Sequence, residues 1–238
     1  PTPAEGWSVA TSVAHLAWTD EVAVLAAHSH RSEQDKAAWD AVVLAAINDP
    51  LGYVDVCAHE MAALPRDEVL SRWAQGRTAL GKALAELPAG QKMPWFGPPM
   101  SAASMATARF METWAHALDV YDAAGEHPEA TDRIKHVAHL GVRTRNFAFS
   151  VHEEEPPAEE FRVELSAPSF ERTGEVWTWG PEDAAQRVSG SALDFCRLVT
   201  QRVNRADTAL VAVGADAERW LEIAQAFAGP AGGGRDAA

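Results

Sequence analysis

Scarcities in this sequence narrow the field before any motif does. Two cysteines, Cys57 and Cys196, in 238 residues are too few for a disulfide framework, so no bridge is expected and a cytoplasmic setting is. Basic side chains are in deficit, 20 against 34 acidic ones, and a formal charge of −14 argues against nucleic acid and anionic membrane surfaces as partners. Long apolar runs are missing as well. The longest, 22–27 and 42–47, fall far short of the roughly 18–20 residues that a membrane-spanning helix needs. The start of the chain lacks the basic region and apolar core of a signal peptide. No Walker or dinucleotide glycine loop is present, and neither Ser191 nor Cys196 sits in a pattern that marks a nucleophile.

What is present is an ordinary globular composition, 47% apolar, which excludes disorder as a global description. Behind Ser8, a residue suited to capping, Val9, Val13, Leu16, Val22 and Leu25 recur at helical steps and predict an amphipathic helix over 8–27. Further helices are expected over 32–48, 51–64 and 66–87, punctuated by Pro50, Pro65 and Pro88. The aromatic, proline-bearing stretch 93–100 reads as a packed loop. Ser101 then opens the longest helical pattern, which Gly125 closes after roughly 36 Å. One more helix is expected over 131–152. Beyond the acidic stretch 153–157 the period changes to two, with strands at 161–165 and 176–179, a third candidate at 185–188, and helices over 191–202 and 215–227. The expected class is therefore mainly α: a helical bundle over 1–152, then a small α+β domain over 153–238 whose glycine-rich tail frays from residue 229.

The chemistry concentrates on the long helix. Glu112 and His116, four residues apart, project from one face, and Asp119 extends that face by three more. His15 lies midway along the first helix among apolar residues, where an imidazole needs a reason to be buried. Together, His15, Glu112 and His116 would offer two nitrogens and one oxygen, a set suited to zinc or another divalent metal with an open fourth position. The spacing alone equally describes a solvated pair or a hydrogen-bonded core histidine. His59-Glu60 begins like a metalloprotease motif, but Ala63 stands where its second histidine belongs. His28 and His30 end a helix, and His136, His139 and Arg143 share a basic helix that can bind an anion or pack against acidic neighbours.

Four stretches, Gly6-Trp7-Ser8-Val9, Val13-Ala14-His15-Leu16-Ala17-Trp18, Trp95-Phe96-Gly97-Pro98-Pro99-Met100-Ser101 and Met111-Glu112-Thr113-Trp114-Ala115-His116-Ala117-Leu118-Asp119-Val120, together resemble the actinobacterial mycothiol-dependent maleylpyruvate isomerase N-terminal family. That family belongs to the DinB-like metal-binding four-helix bundles, and the resemblance covers roughly 1–152. Trp177-Thr178-Trp179-Gly180-Pro181-Glu182-Asp183 and Arg219-Trp220-Leu221 are similar to the C-terminal part of one branch of it. The resemblance implies that His15, Glu112 and His116 bind zinc and that mycothiol is the cosubstrate. It also implies a thiolate that adds to an activated double bond, as an isomerase or an S-transferase, on a small electrophilic molecule. Family members usually carry a helix ahead of the Gly-Trp segment; either residues precede Pro1 or an apolar face is left uncovered, which would favour a homodimer.

Around the metal set, Asp119 is a candidate for orienting a ligand or moving a proton, against the alternative of a carboxylate facing water. Arg109 is a candidate for holding a substrate carboxylate, against a structural ion pair. Trp18, Trp95 and Phe96 are candidate pocket walls or core aromatics. An arginine from the second domain, Arg197, Arg202 or Arg219, is expected to contribute by the same resemblance. Two other readings compete: a metal-dependent hydrolase or lyase using metal-bound water, and a non-enzymatic small-molecule-binding module on the same fold.

Overall fold

Ser8 adopts an extended conformation and its hydroxyl accepts from the Thr11 amide, which starts helix α1 (Val9–His28) in the computed structural model describing residues 1–237. Ser32 caps α2 (Glu33–Asn48) in the same way, α3 (Tyr53–Ala62) follows the turn after Pro50, and α4 (Arg66–Glu86) begins directly behind Pro65. Ser101 caps α5 (Ala102–Ala124), and Gly125, in the left-handed region at φ 70°, ends it. These four long helices and the short α3 make up the first of two units, Pro1–His127, the second beginning at Pro128.

The first helix was expected to be amphipathic, and it is instead the hub of the bundle. It touches α2, α3, α4 and α5, and buries polar Thr11, Ser12, Thr19 and Asp20 along with Ala14, Ala17, Ala23, Ala26 and Ala27. A helix packed on most sides shows no clean apolar stripe. Two core clusters hold it. Val22, Ala23, Ala26 and Ala27 pack with Trp39, Leu80, Ala83, Met93 and Met105, while Ala14 and Ala17 pack with Met61 and Val69. The 93–100 loop is packed as expected, tied at its neck by reciprocal Met93–Met100 backbone bonds of 2.9 Å.

The change of unit falls at His127/Pro128, and the expected boundary near residue 153 is displaced for a packing reason. The helix expected over 131–152 is broken into a 3-10 turn (Asp132–Ile134), α6 (Lys135–Arg143) and α7 (Arg145–Val151). At the break, the Thr144 hydroxyl donates to the Leu140 and Gly141 carbonyls. Helix α6 packs on α9 (Ala192–Val199) within the second unit, and Gly141 permits it, since a Cβ there would lie 2.8 Å from a Val199 methyl. The 131–152 segment therefore joins the sheet domain.

That sheet has the order β2-β1-β3-β4, with β1 (Arg162–Ser166) antiparallel to β2 (Val176–Trp179), parallel to β3 (Arg187–Ser191), and β3 antiparallel to β4 (Val211–Val213). The four-residue helix α8 (Phe170–Thr173) precedes β2, and α10 (Ala215–Ile223) follows β4. Val163, Leu165, Trp177 and Val188 are buried, while Glu164 bridges Arg162 and Arg187 at 3.1 and 3.2 Å. The third strand lies two residues later than expected, and β4 and α8 were not expected at all. The tail, expected to fray, is tied down: the buried Gln225 amide donates to the Phe227, Gly229 and Pro230 carbonyls, and Asn204 donates to the Arg235 carbonyl at 2.7 Å. Among the described residues no single helix is long and apolar enough to cross a membrane, and α2 with α3 pass that test only as a pair bent by 113°.

Candidate metal centre

The bundle brings one residue of α1 to one face of α5. His15 Nε2 lies 3.4 Å from Glu112 Oε2, and His116 Nε2 lies 3.5 Å from that same oxygen. The ligating atoms of the three residues all fall within 4.8 Å of one another. Two donors on a tetrahedral ion at about 2.0–2.1 Å stand roughly 3.3 Å apart, so the spacing suits a common cation. The His15 and His116 rings meet edge to face at 4.8 Å between centroids.

Burial and charge favour a cation here. Burial lowers the His15 imidazole to about 4, the Glu112 hydrogen bond opposing and the neighbouring His116 adding to the shift, so His15 is neutral near pH 7 with a lone pair to offer. Burial pushes the Glu112 carboxyl up, but the hydrogen bonds and charges of His116 and His15 outweigh it and hold it well below the usual carboxylate range. Behind His116, Asp119 is fully buried, with Oδ2 3.3 Å from His116 Nδ1. With a cation bound, donation of Nδ1–H to Asp119 would leave the His116 Nε2 lone pair for the ion. Two acidic side chains and two imidazoles gathered in a desolvated place are a donor set that a divalent cation satisfies. The residues present fit such an ion. Glu112 keeps 24% of its side chain exposed, so the cluster opens to solvent on that side.

The remaining sequence candidates fall differently. Arg109 lies on the Glu112 face of α5 but is buried, its Nε donating to the equally buried Asp20 of α1 at 2.9 Å, which is the ion pair weighed above. Its Nη2 is buried without a hydrogen-bond partner among the described residues. Trp18 packs on Tyr53 and both core clusters, and within the 93–100 loop Trp95 stacks on Trp39 while Phe96 lies tilted against both. Arg219 is engaged by Glu154 and Glu222.

The aromatic residue that lies on the imidazoles is one that sequence reasoning missed. Trp7 stacks parallel to His116 at 5.3 Å and 10°, and tilts over His15 at 5.2 Å. Its indole Nε1 donates to Asp55 of α3 at 3.1 Å, and the preceding Gly6 carbonyl lies 3.3 Å from His59 Nε2. The available signal was position: Trp7 immediately precedes the cap of the helix that carries His15.

Comparison with known proteins agrees with this architecture. The family model for the mycothiol maleylpyruvate isomerase N-terminal domain matches residues 1–121, and one described as wyosine base formation matches residues 157–213. An uncharacterised protein found in two strains of Mycobacterium tuberculosis is 54% identical over 235 residues, 99% of this chain and 88% of its own length. The crystal structure of a mycothiol-dependent maleylpyruvate isomerase aligns with a TM-score of 0.52 at 17% identity, over 89% of this chain and 80% of that one, a likeness of fold.

Proposed function

This chain belongs to the mycothiol maleylpyruvate isomerase N-terminal domain family, and on that premise we propose that it is a zinc-dependent enzyme that uses a low-molecular-weight thiol, mycothiol, on a small electrophilic substrate. The observation that carries this reading is the convergence of His15, Glu112 and His116 on one point open to solvent beside Glu112. A divalent cation bound there would supply Lewis acidity that keeps a coordinating thiol in its nucleophilic thiolate form near neutral pH.

The protein's own part follows from the geometry. His15 and His116 present nitrogens and Glu112 an oxygen, three donors that leave a fourth position for the thiol. Asp119 holds His116 by Nδ1 and fixes which nitrogen faces the cluster. Trp7 covers the imidazole faces and keeps water from them. The reaction class is addition of the thiol to an activated double bond, completed by elimination in an isomerase or by release in an S-transferase. Arg109, buried against Asp20, steadies the contact between the two ligand-bearing helices, α1 and α5.

Metal analysis of never-chelated protein, with turnover of an electrophilic substrate assayed with and without mycothiol, tests the proposal. About one zinc per chain and activity that needs both metal and thiol are expected. Material empty of transition metal would overturn the metal assignment. Equal turnover without thiol would overturn the thiol half and select a metal-dependent hydrolase or lyase.

A further inference from the structure

A second candidate ligand site lies wholly within the second unit. A groove of about 510 Å3 is lined by His139, Arg143, Asn146, Trp179, Trp220 and Glu160, among others. That volume is in the range of small-molecule pockets. Phe161, Val163 and Val142 complete its apolar wall.

The polar groups of the groove are nearly all donors. Arg143 has no acceptor or carboxylate partner among the described residues. Arg145 gives its protons to neutral oxygens, Nε to Asn146 Oδ1 at 2.9 Å and Nη1 to the Glu159 carbonyl at 2.8 Å, and its guanidinium lies 4.2 Å over the Phe161 ring. Because Asn146 Oδ1 accepts from Arg145, its amide N–H groups are left to point elsewhere. His139 Nδ1 accepts from Trp179 Nε1 at 3.2 Å, which puts the proton of the neutral ring on Nε2 as another donor. Trp220 is 1% exposed, and its indole Nε1 is buried without a partner among the described residues. An unmade hydrogen bond on a buried N–H is costly and calls for an acceptor.

Of the two guanidiniums, Arg145 feels the carboxylates of Glu160 and Asp216, which leaves Arg143 as the cation open to a ligand. Several arginines elsewhere are paired with carboxylates, as in Arg72–Glu21, Arg109–Asp20 and Arg187–Glu164. The geometry points to a binding site for a small organic carboxylate with a flat, apolar body: the carboxylate meets the donors of Arg143 and Asn146, and the body lies against Trp179 and the aromatic wall. The groove shares no lining residue with the His15/Glu112/His116 cluster, and the assignment does not depend on how that cluster is read.

Isothermal titration of the chelator-stripped full chain with benzoate, benzyl alcohol and inorganic phosphate tests this. Benzoate is expected to saturate one site, with the neutral alcohol and bare phosphate each weaker by about tenfold or more, as loss of a charge-assisted contact or of the apolar wall requires. Arg143→Ala, an exposed change, should weaken benzoate by about tenfold or more while circular dichroism stays unchanged. Trp179→Leu should weaken benzoate and leave phosphate unaffected. Failure of benzoate to saturate, an affinity indifferent to Arg143→Ala, or binding seen only in metal-loaded protein would overturn the assignment. Phosphate binding as tightly as benzoate would overturn the aromatic part of it.

Discussion

Asp119 offers the sharpest test of how the α5 face works. It is fully buried 3.3 Å from His116 Nδ1, one turn beyond the nitrogen that faces Glu112. At that distance, with an effective dielectric near 20, a unit negative charge interacts with a positive one by about 5 kcal/mol, an upper limit for what the carboxylate contributes to a cation-bearing imidazole. Desolvation of the carboxylate offsets part of it, and removal of such an outer partner typically costs about 10–100-fold in metal affinity. Asp119→Asn is isosteric and keeps the helix packed, but removes the charge and allows an amide N–H to face Nδ1. That forces the ring proton onto Nε2, where the metal must sit. Zinc affinity, measured by competition with a chromophoric chelator, should therefore fall about 10–100-fold with an unchanged far-ultraviolet spectrum. An Asp119→Asn protein that binds zinc within about threefold of the parent would refute the orienting role and return Asp119 to a structural carboxylate.

Two further outcomes follow from packing and burial. Gly141→Ala places a methyl 2.8 and 3.0 Å from the Val199 methyls and 3.1 Å from Phe195, both fully buried, so an overpacking cost of about 1–3 kcal/mol opposes the roughly 1 kcal/mol that alanine gains in a helix. Denaturant unfolding should show a net loss in Gly141→Ala that Val199→Ala partly relieves in the double variant; stabilisation with no coupling to Val199 would contradict the close α6–α9 contact. In metal-stripped protein, His15 has its folded pKa lowered from 6.5 to about 4, so the unfolded chain binds a proton that the folded one refuses. Stability from this group is then fully present above 6.5 and lost as pH falls toward 4, by about 3 kcal/mol, while Glu112, lowered from 4.5, adds its loss only below that value. Urea midpoints that stay flat across this window would show His15 to be solvated.

The features that could be read in the sequence are those fixed within one turn of chain. Ser8, Ser32 and Ser101 cap because each hydroxyl reaches an amide three residues on, and Gly125 ends α5 because it accepts a positive φ. The features that escaped depend on distant partners. Gly141 looks like an ordinary glycine in a helix until Val199 and Phe195 arrive against it, and that contact moves the 131–152 segment into the other unit. The three residues of β4 carry no periodic signal of their own and are a strand only because β3 offers a free edge. The tail is composed like a frayed end, and the buried amide of Gln225 is what ties it down.

The same division runs through the candidate centre. Glu112, His116 and Asp119 share a face by helical arithmetic, and that much holds for any helix. His15 stands 97 residues before Glu112, and only the small residues of α1 explain why it arrives: Ala14 and Ala17, both fully buried, let neighbouring helices close around it. A Cβ on Gly76 of α4 would stand in ordinary contact with Asp20, 3.5 Å from its Cβ, so α4 closes here without needing a glycine. Asp20 in turn pairs with Arg109, so the hub helix and the ligand-bearing helix are joined by charge one turn from His15. A bundle whose central helix is built from alanines, and whose buried polar side chains gather on one side of it, is packed closely enough to hold three donors at fixed separation. That close packing, more than the identity of any one ligand, is what suits the cluster to holding an ion.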